Sequence, residues 1–233
     1  MCLCMKGLQK QSVVIVAGGV GLRAGTELPK QFVSVGGKPL LMHTIQVFYR
    51  YNREMKIVVV LHPEYRNLWA QLCSSHGFEV PHLLVDGGAT RFHSVKNGLS
   101  LIDDDEMVAI HDAARPFVAH SVIETVFAEA ANCQCGAIPV VSEKNSVRML
   151  TSHGHKPIDR SLLKLVQTPQ VFPARLLKKA YSVDFKSSFT DDASVAEEYG
   201  IEIHLVEGND ENIKITTAFD FNLAEILVNS ILQ

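Results

Sequence analysis

Short runs of β-branched and aliphatic residues recur along the chain, at Ser12–Ala17, Lys56–Leu61, Leu83–Asp86, Met107–His111, Gly136–Val141 and Glu202–Val206. Most are apolar almost throughout instead of alternating, the pattern of strands buried on both faces, and segments of helical period lie between them. This alternation predicts an α/β fold with a mostly parallel sheet covered by helices on both sides. Within the helical segments Phe92, Val95, Leu99 and Ile102 keep a spacing of three or four, as do Phe219, Leu223, Ile226 and Leu227 near the end. Each set is expected to turn one apolar stripe toward the sheet.

One stretch breaks the alternation. Residues 142–165 read SEKNSVRMLTSHGHKPIDRSLLKL, with alternating pieces such as Ser146–Leu150, a His-Gly-His turn and Pro157. An extended hairpin standing off the main sheet is expected there. Such an arm cannot bury both of its own faces, and a second copy of the chain is its simplest partner. There is no internal repeat and no low-complexity tract.

Composition narrows the class. A chain of 233 residues makes one large domain, or one domain with a modest appendage, and is long enough to bury a core without disulfides or a structural metal. The formal net charge of −3 gives no general attraction for a polyanion, which argues against nucleic acid as a partner. The five cysteines (Cys2, Cys4, Cys73, Cys133, Cys135) are an odd number in a chain too large to be a disulfide scaffold. They are expected to be ordinary thiols in a reducing compartment. The two C-x-C pairs are spaced more tightly than the ligand pairs of structural zinc sites. The longest apolar stretches, such as Ile57–Leu61, are strand-sized, and the start MCLCMKGLQK lacks the apolar core of a signal peptide. No membrane partner is expected, and the cytoplasm is the expected location.

Candidate chemistry gathers where strands end. The first strand runs into AGGVGLRAGTELPKQ, Ala17–Gln31, where Gly18, Gly19 and Gly21 allow backbone amides to approach a phosphate chain. Gly19-x-Gly21-x-x-Ala24 satisfies a loose dinucleotide fingerprint, but the acidic residue that would hold a ribose is missing near Leu41–His43. A dehydrogenase is disfavoured on that ground. Nor is a Walker loop present, since Gly37-Lys38 is followed by Pro39. Arg23 and Lys30 add two cations to the loop, which suits a triphosphate.

Further along, VDGGATRFHSVKNGL (Val85–Leu99) ends a strand in two glycines, and Arg91 and Ser94 open a helix whose first amides point back over the strand ends. HDAARP (His111–Pro116) places Asp112 and Arg115 at the carboxyl end of a strand that should be central, where a carboxylate and a guanidinium can bind a hydroxyl and a phosphate. His111 is read as a core or supporting histidine. Lys214, in ENIKIT, sits between Ile213 and Ile215, so its stem is held and its ammonium aimed.

Taken in order, AGGVGLRAGTELPKQF, GGATRFHSV, HDAARP, DRSLLKLVQTPQVF, TDDASVAE and NIKIT resemble the 2-C-methyl-D-erythritol 4-phosphate cytidylyltransferase family over nearly the whole chain. The resemblance implies a single Rossmann-like, doubly wound nucleotidyltransferase domain over 1–233, with 142–165 as a dimerisation arm. It implies transfer of a cytidylyl group from CTP to methylerythritol phosphate with release of pyrophosphate, Mg²⁺ as helper, and no assigned protein ligand for the metal. The family positions matching Arg23, Lys30 and Lys214 act on the phosphates. Those matching Ala17, Gly18, Gly19, Gly21, Gly88, Arg91 and Ser94 line the nucleotide. Those matching Asp112, Arg115, Arg160 and Thr168 serve the polyol phosphate, some reaching a neighbouring subunit's site through the arm. A ribitol-5-phosphate cytidylyltransferase shares the glycine-rich loop, TPQ and NIK elements and is the alternative. Two departures stand out: position 89 is Ala where some members are acidic, and the arm's longer PVVSEKNSVRM leaves Ser146 or Glu143 in a threonine's place, with Ser146 preferred because it keeps a hydroxyl.

Overall fold

A computed structural model describes residues 9–19 and 28–231. In chain order its elements are β1 (Gln11–Ala17), β2 (Ser34–Val35), β3 (Lys38–Pro39), α1 (Leu40–Tyr51), β4 (Lys56–Leu61), α2 (Arg66–Ser75), β5 (Leu83–Asp86), α3 (Arg91–Leu99), β6 (Met107–Asp112) and α4 (His120–Cys133). There follow β7 (Gly136–Ser142), β8 (Val147–Thr151), β9 (Gly154–Ile158), β10 (Lys164–Val166), β11 (Gln170–Pro173), α5 (Ala174–Ala180), α6 (Asp192–Glu198), β12 (Ile203–Glu207) and α7 (Ala218–Ile231).

All six apolar runs form strands of one eight-stranded sheet, ordered β10-β7-β11-β6-β1-β4-β5, with β12 beside β7. β5, β4, β1 and β6 are parallel neighbours, and β12 is parallel to β7. β11 enters antiparallel between β6 and β7, and β10 is antiparallel to β7. Successive residues of β1 point to opposite faces. Val13 and Ile15 join α1, α4 and Trp69 in one buried cluster, while Val14 joins α3, α5 and α6 in another. The two-sided burial is what the continuous apolar runs require.

α3 lies close against its face of the sheet because Gly98 has no side chain: a Cβ there would stand 2.4 Å from Cγ1 of Val14 and 3.1 Å from Cγ2 of Val60. On α3 the expected stripe is the buried one, Phe92, Val95 and Leu99 continuing to Ile102.

On α7 only part of the expected stripe turns inward. Phe219 is 74% and Ile226 66% exposed, whereas Ala224 and Val228 are buried, with Phe221 and Leu227 packed beside them. The helix docks on Val35, Leu40, Phe117 and Ile215 instead of on the central sheet, which turns a neighbouring set of positions inward. The periodicity identifies the helix; what it packs against selects the face.

The arm is a separate two-stranded sheet, β8 paired antiparallel with β9 from Val147↔Ile158 to Thr151↔Gly154. Nearly all of it is exposed, Leu150 and Leu162 among the most open large apolar side chains of the chain at 83% and 80%.

The expectation of ordinary thiols needs one correction. Cys133 ends α4, Gln134 adopts a left-handed conformation (φ 53°), and Cys135 leads into β7. That reversal brings the two Cα atoms to 5.2 Å, and the sulfurs are joined in a disulfide. Among the described residues no helix is long and apolar enough to cross a membrane.

Gly98→Val should force α3 away from Val14 and Val60 and lower stability by about 1–3 kcal/mol, read as a shift of the urea unfolding midpoint. An unchanged midpoint would show that the contact relaxes freely.

Candidate active site

The parallel register aligns the strand ends. Ala17 pairs with Leu61, Leu61 with Asp86, and Val16 with Asp112, so β1, β4, β5 and β6 finish almost level. β1 lies between β4, which follows it, and β6, which arrives by a longer crossover; this is the switch point at which parallel sheets open a crevice. A cleft of about 300 Å³ lies there, lined by Val16–Gly19, Lys30, Gln31, Gly88–Arg91, Ser94, Asp112–Ala114 and Lys214. Of the expected nucleotide and phosphate residues, Ala17, Gly18, Gly19, Lys30, Gly88, Arg91, Ser94 and Lys214 all meet in this one place. Gly21 and Arg23 lie outside the described residues.

Gln31 holds the base of the glycine-rich loop. It is buried, and its Nε2 donates to the carbonyls of Ala17 at 2.9 Å and Gly19 at 3.2 Å, which positions the adjacent Lys30 at the cleft. On the opposite wall Ser94 Oγ accepts from the Gly88 amide at 3.0 Å. A Cβ at Gly88 would lie 2.4 Å from Cβ of His93, so only glycine lets this turn rest on the start of α3.

Asp112 is the electrostatic centre. Its carboxylate lies 2.9 Å from Lys214 Nζ, 3.5 Å from Arg91 Nε and 3.6 Å from Arg115 Nε. Burial alone would raise its pKa, but Arg91, Lys214 and Arg115 together hold it well below the usual carboxylate range. The pKa of Lys30 is lowered as well, but in its case by burial and then by repulsion from Lys214, with Asp112 offsetting part of the effect. No described carboxylate forms an ion pair with Lys30. Four cations stand around one cleft-lining carboxylate, a surplus that an incoming polyphosphate would neutralise.

Arg91 is more committed than its sequence position suggests. Its two terminal nitrogens donate to Asp192 at 2.8 and 2.7 Å, and the Tyr181 hydroxyl donates to the same carboxylate at 2.6 Å. Asp192 is fully buried. The TDDAS motif thus clamps Arg91 from 101 positions away, a role that neither segment reveals by itself.

A directional hydrogen-bond relay ties the HDAARP and TPQ segments together. The Asp112 amide donates to Thr168 Oγ1 at 3.1 Å, Thr168 Oγ1 contacts His111 Nδ1 at 3.0 Å, and His111 Nε2 lies 2.9 Å from the Arg115 carbonyl. A carbonyl can only accept, so Nε2 carries the proton and Nδ1 accepts from the Thr168 hydroxyl. Both ring nitrogens are used and the ring is fully buried, so His111 supports the site and is not a proton carrier. Burial lowers its pKa to about 4. Thr168 is therefore placed beside Asp112 as a support of its backbone.

The NIK segment is sewn onto both. The Arg115 guanidinium donates to the Asn212 carbonyl at 2.7 Å, Asn212 Nδ2 donates to the Thr168 carbonyl at 2.8 Å, and the Ile215 amide donates to the Ala114 carbonyl at 2.8 Å. With Ile215 fully buried on one side, the Lys214 ammonium reaches Asp112.

A second cleft, about 410 Å³, opens on the arm side of Lys214, lined by Arg115, Val141–Asn145, Leu165–Gln167, Asp210 and Asn212–Lys214. Lys214 lines both clefts. Glu143 and Asn145 stand on the wall of the second, whereas Ser146 is exposed and does not line it. Arg160 is exposed as well, its guanidinium donating to the Lys144 carbonyl at 2.6 Å at the arm's root.

Fold and site together define an α/β protein built to hold phosphorylated nucleotides at the carboxyl ends of its strands. The chain belongs to the 2-C-methyl-D-erythritol 4-phosphate cytidylyltransferase family, whose sequence profile matches residues 11–230. The enzyme of that name from Bacteroides fragilis is 52% identical over 218 residues, covering 94% of this chain and 99% of its own. That from Porphyromonas gingivalis is 41% identical over 223 residues, with 95% and 99% covered. Among solved structures, the 4-diphosphocytidyl-2C-methyl-D-erythritol synthase of Anaerococcus prevotii superposes with a TM-score of 0.80 at 25% identity, covering 95% of this chain and 96% of its own. The cytidylyltransferase of Thermus thermophilus gives 0.73 at 31%, with 94% and 99% covered.

The buried neutral His111 makes stability pH-dependent. Between about pH 6.5 and about pH 4 the unfolded chain binds a proton at this ring that the folded chain does not, so the contribution is complete above that window and lost as pH falls through it. Going from neutral pH to about pH 5 should cost about 2 kcal/mol, seen in urea midpoints, and His111→Gln should flatten the slope. An unchanged slope in the variant would remove His111 as the cause.

Proposed function

We infer that the chain joins CTP to 2-C-methyl-D-erythritol 4-phosphate, releasing pyrophosphate and 4-diphosphocytidyl-2-C-methyl-D-erythritol. The observation that carries the assignment of the site is that Lys214 lines two clefts at once. In this reading the crevice over β1 takes CTP, the arm-side cleft takes the polyol phosphate, and the two phosphates meet at Lys214. Ala17, Gly18, Gly19, Gly88 and Ser94 form the walls around the nucleotide, and the family resemblance assigns Gly21 and Arg23 to it as well. Arg91, locked on Asp192, holds the electrostatic frame.

The nucleophile is an oxygen of the polyol phosphate, already anionic, and it attacks the α-phosphorus of CTP while pyrophosphate leaves. No strong base is needed, which agrees with a site whose one histidine is committed elsewhere. Positioning and neutralisation of charge supply the catalysis. Lys30 and Lys214, with Arg23, screen the reacting phosphates; Asp112 and Arg115 orient the polyol phosphate, and Thr168 holds the Asp112 backbone behind them.

Magnesium, bound with the nucleotide, would neutralise charge on the triphosphate. Asp112 is the one carboxylate lining the crevice among the described residues, and three cations already compensate it. The described residues offer the ion no uncompensated carboxylate, so its oxygen ligands would come from the triphosphate and water. Nothing in the comparisons favours ribitol phosphate over methylerythritol phosphate. A cytoplasmic enzyme fits this reading.

We further propose that the arm pairs two chains and carries Ser146 and Arg160 to the partner's arm-side cleft. The exposed apolar residues Met149, Leu150, Leu162 and Leu165 support this, since they otherwise face water.

The central test is pyrophosphate release with CTP, UTP or ATP against methylerythritol phosphate and ribitol phosphate. CTP with methylerythritol phosphate should be used best; turnover with ribitol phosphate alone would overturn the substrate assignment. Lys30→Ala and Lys214→Ala should each lower kcat about 10²–10³-fold, the effect of removing one preorganised charge, with a smaller change in polyol KM. A loss below about tenfold in either would count against its role.

For the arm, light scattering should give a dimer at assay concentrations. Ser146→Ala should lower kcat/KM for the polyol about ten- to a hundredfold, while Glu143→Gln stays nearly silent. An active monomer, or the reverse order of the two variants, would sink arm delivery by Ser146.

A further inference from the structure

A second chemically capable cluster lies away from both clefts, where α4 gives way to β7. Ligand atoms of Cys133, Cys135 and His204 all lie within 4.8 Å of one another. No residue of this cluster lines either cleft. The convergence is fixed by regular structure: α4 ends at Cys133, and β12 runs parallel to β7 with Ile203 opposite Gly136 and His204 opposite Ala137. Between the cysteines, left-handed Gln134 turns the chain back on itself. A C-x-C pair, shorter than the usual spacing of zinc ligands, is thereby made to present both sulfurs to one point.

The imidazole is braced on both sides. His204 Nδ1 lies 2.7 Å from Glu129, one turn before Cys133 on α4, and Nε2 lies 3.3 Å from Glu202. An ion that takes one ring nitrogen displaces the carboxylate there, and the other nitrogen keeps its carboxylate partner, the arrangement that orients metal-binding histidines. Two sulfurs and one nitrogen select a thiophilic cation over magnesium or calcium, which require oxygen. Three protein ligands leave a fourth tetrahedral position for water or a carboxylate.

We propose that Cys133, Cys135 and His204 form a redox-gated site for one thiophilic divalent cation of the zinc class, closed by the Cys133–Cys135 disulfide and opened by its reduction. An external dithiol opens it. One of its sulfurs attacks the Cys133–Cys135 bond, and its second sulfur then displaces the mixed disulfide. The reductant leaves as its own disulfide, two electrons having passed to the cysteine pair and two protons with them. When the cation binds, the two thiols become thiolates and release those protons to solvent. An external disulfide, reduced to its dithiol as it takes the two electrons back, re-forms the Cys133–Cys135 bond and releases the ion.

The test uses the full chain carrying Cys2→Ser, Cys4→Ser and Cys73→Ser, so that only the proposed sulfurs remain. After reduction with a dithiol and its removal under argon, Cd²⁺ is titrated by calorimetry and by sulfur-to-cadmium absorption. One ion per chain should bind to the reduced protein and none to the oxidised protein, and His204→Gln should weaken binding at least about tenfold. Independently, in the unsubstituted reduced chain Zn²⁺ but not Mg²⁺ should slow alkylation of Cys133 and Cys135 by iodoacetamide, read by peptide mass spectrometry. The alkylation result stands whether or not the His204 variant folds. Absence of stoichiometric Cd²⁺ binding, unchanged affinity in a folded His204→Gln protein, or alkylation indifferent to Zn²⁺ would each overturn the site and leave a structural disulfide only.

Discussion

The structure depends most on one buried carboxylate held by three cations. Asp112 ends a central strand, is 8% exposed, and would carry a severe desolvation cost alone. Arg91, Arg115 and Lys214 offset that cost, and they come from three separate stretches of chain. A well-packed apolar residue could give comparable stability at such a point. What it could not do is draw three positive groups to the mouth of the parallel sheet and fix them before any ligand arrives. The ion cluster is better explained as preorganisation for binding charge than as a stabilising device.

Each cation is in turn held by something else. Arg91 is gripped by Asp192 and Tyr181, Arg115 by the Asn212 carbonyl, and Lys214 by the burial of Ile215 beside it. The His111–Thr168 relay fixes the backbone from which Asp112 projects. These supports lie in the HDAARP, TPQ, TDDAS and NIKIT segments. In this chain those motifs are parts of one assembly closed by long-range hydrogen bonds.

Much of the fold was legible in the sequence because two-sided burial writes itself as unbroken apolar runs, and all six became strands of the sheet. The crevice was legible for a related reason: glycines, cations and Asp112 stand directly after strands, where a parallel sheet opens. Facts about partners were not legible. The stripe on α7 was partly misassigned because the helix docks beside the sheet. β11 slips antiparallel between two parallel strands as a four-residue piece, too short to announce its direction. The Arg91–Asp192 clamp joins residues far apart in sequence, and Cys133 and Cys135 meet His204 only through the β7–β12 register. Local pattern reports that a residue is buried or turned; it does not report against what.

The placement of Lys214 draws the remaining features together. A transfer between two phosphates needs both anions brought close while their mutual repulsion is suppressed, and water kept from competing as acceptor. A single ammonium shared by two clefts meets the first requirement, since it can neutralise whichever phosphate is nearer as charge moves from one to the other. Cations outnumber carboxylates around the crevice, and at Lys30 the charge is disfavoured by burial and by its neighbour Lys214. Binding of a polyphosphate relieves that repulsion, so nucleotide affinity and the readiness of the site for reaction rise together. The arm-side cleft is bounded on its arm side by the 143–145 stretch at the root of the hairpin, where Lys144 and Asn145 are exposed. Completion of that wall by a neighbouring arm would exclude water on the one side where this chain leaves the reacting phosphates open. If the arm reaches a second chain as proposed, it would supply a wall that a single sheet does not.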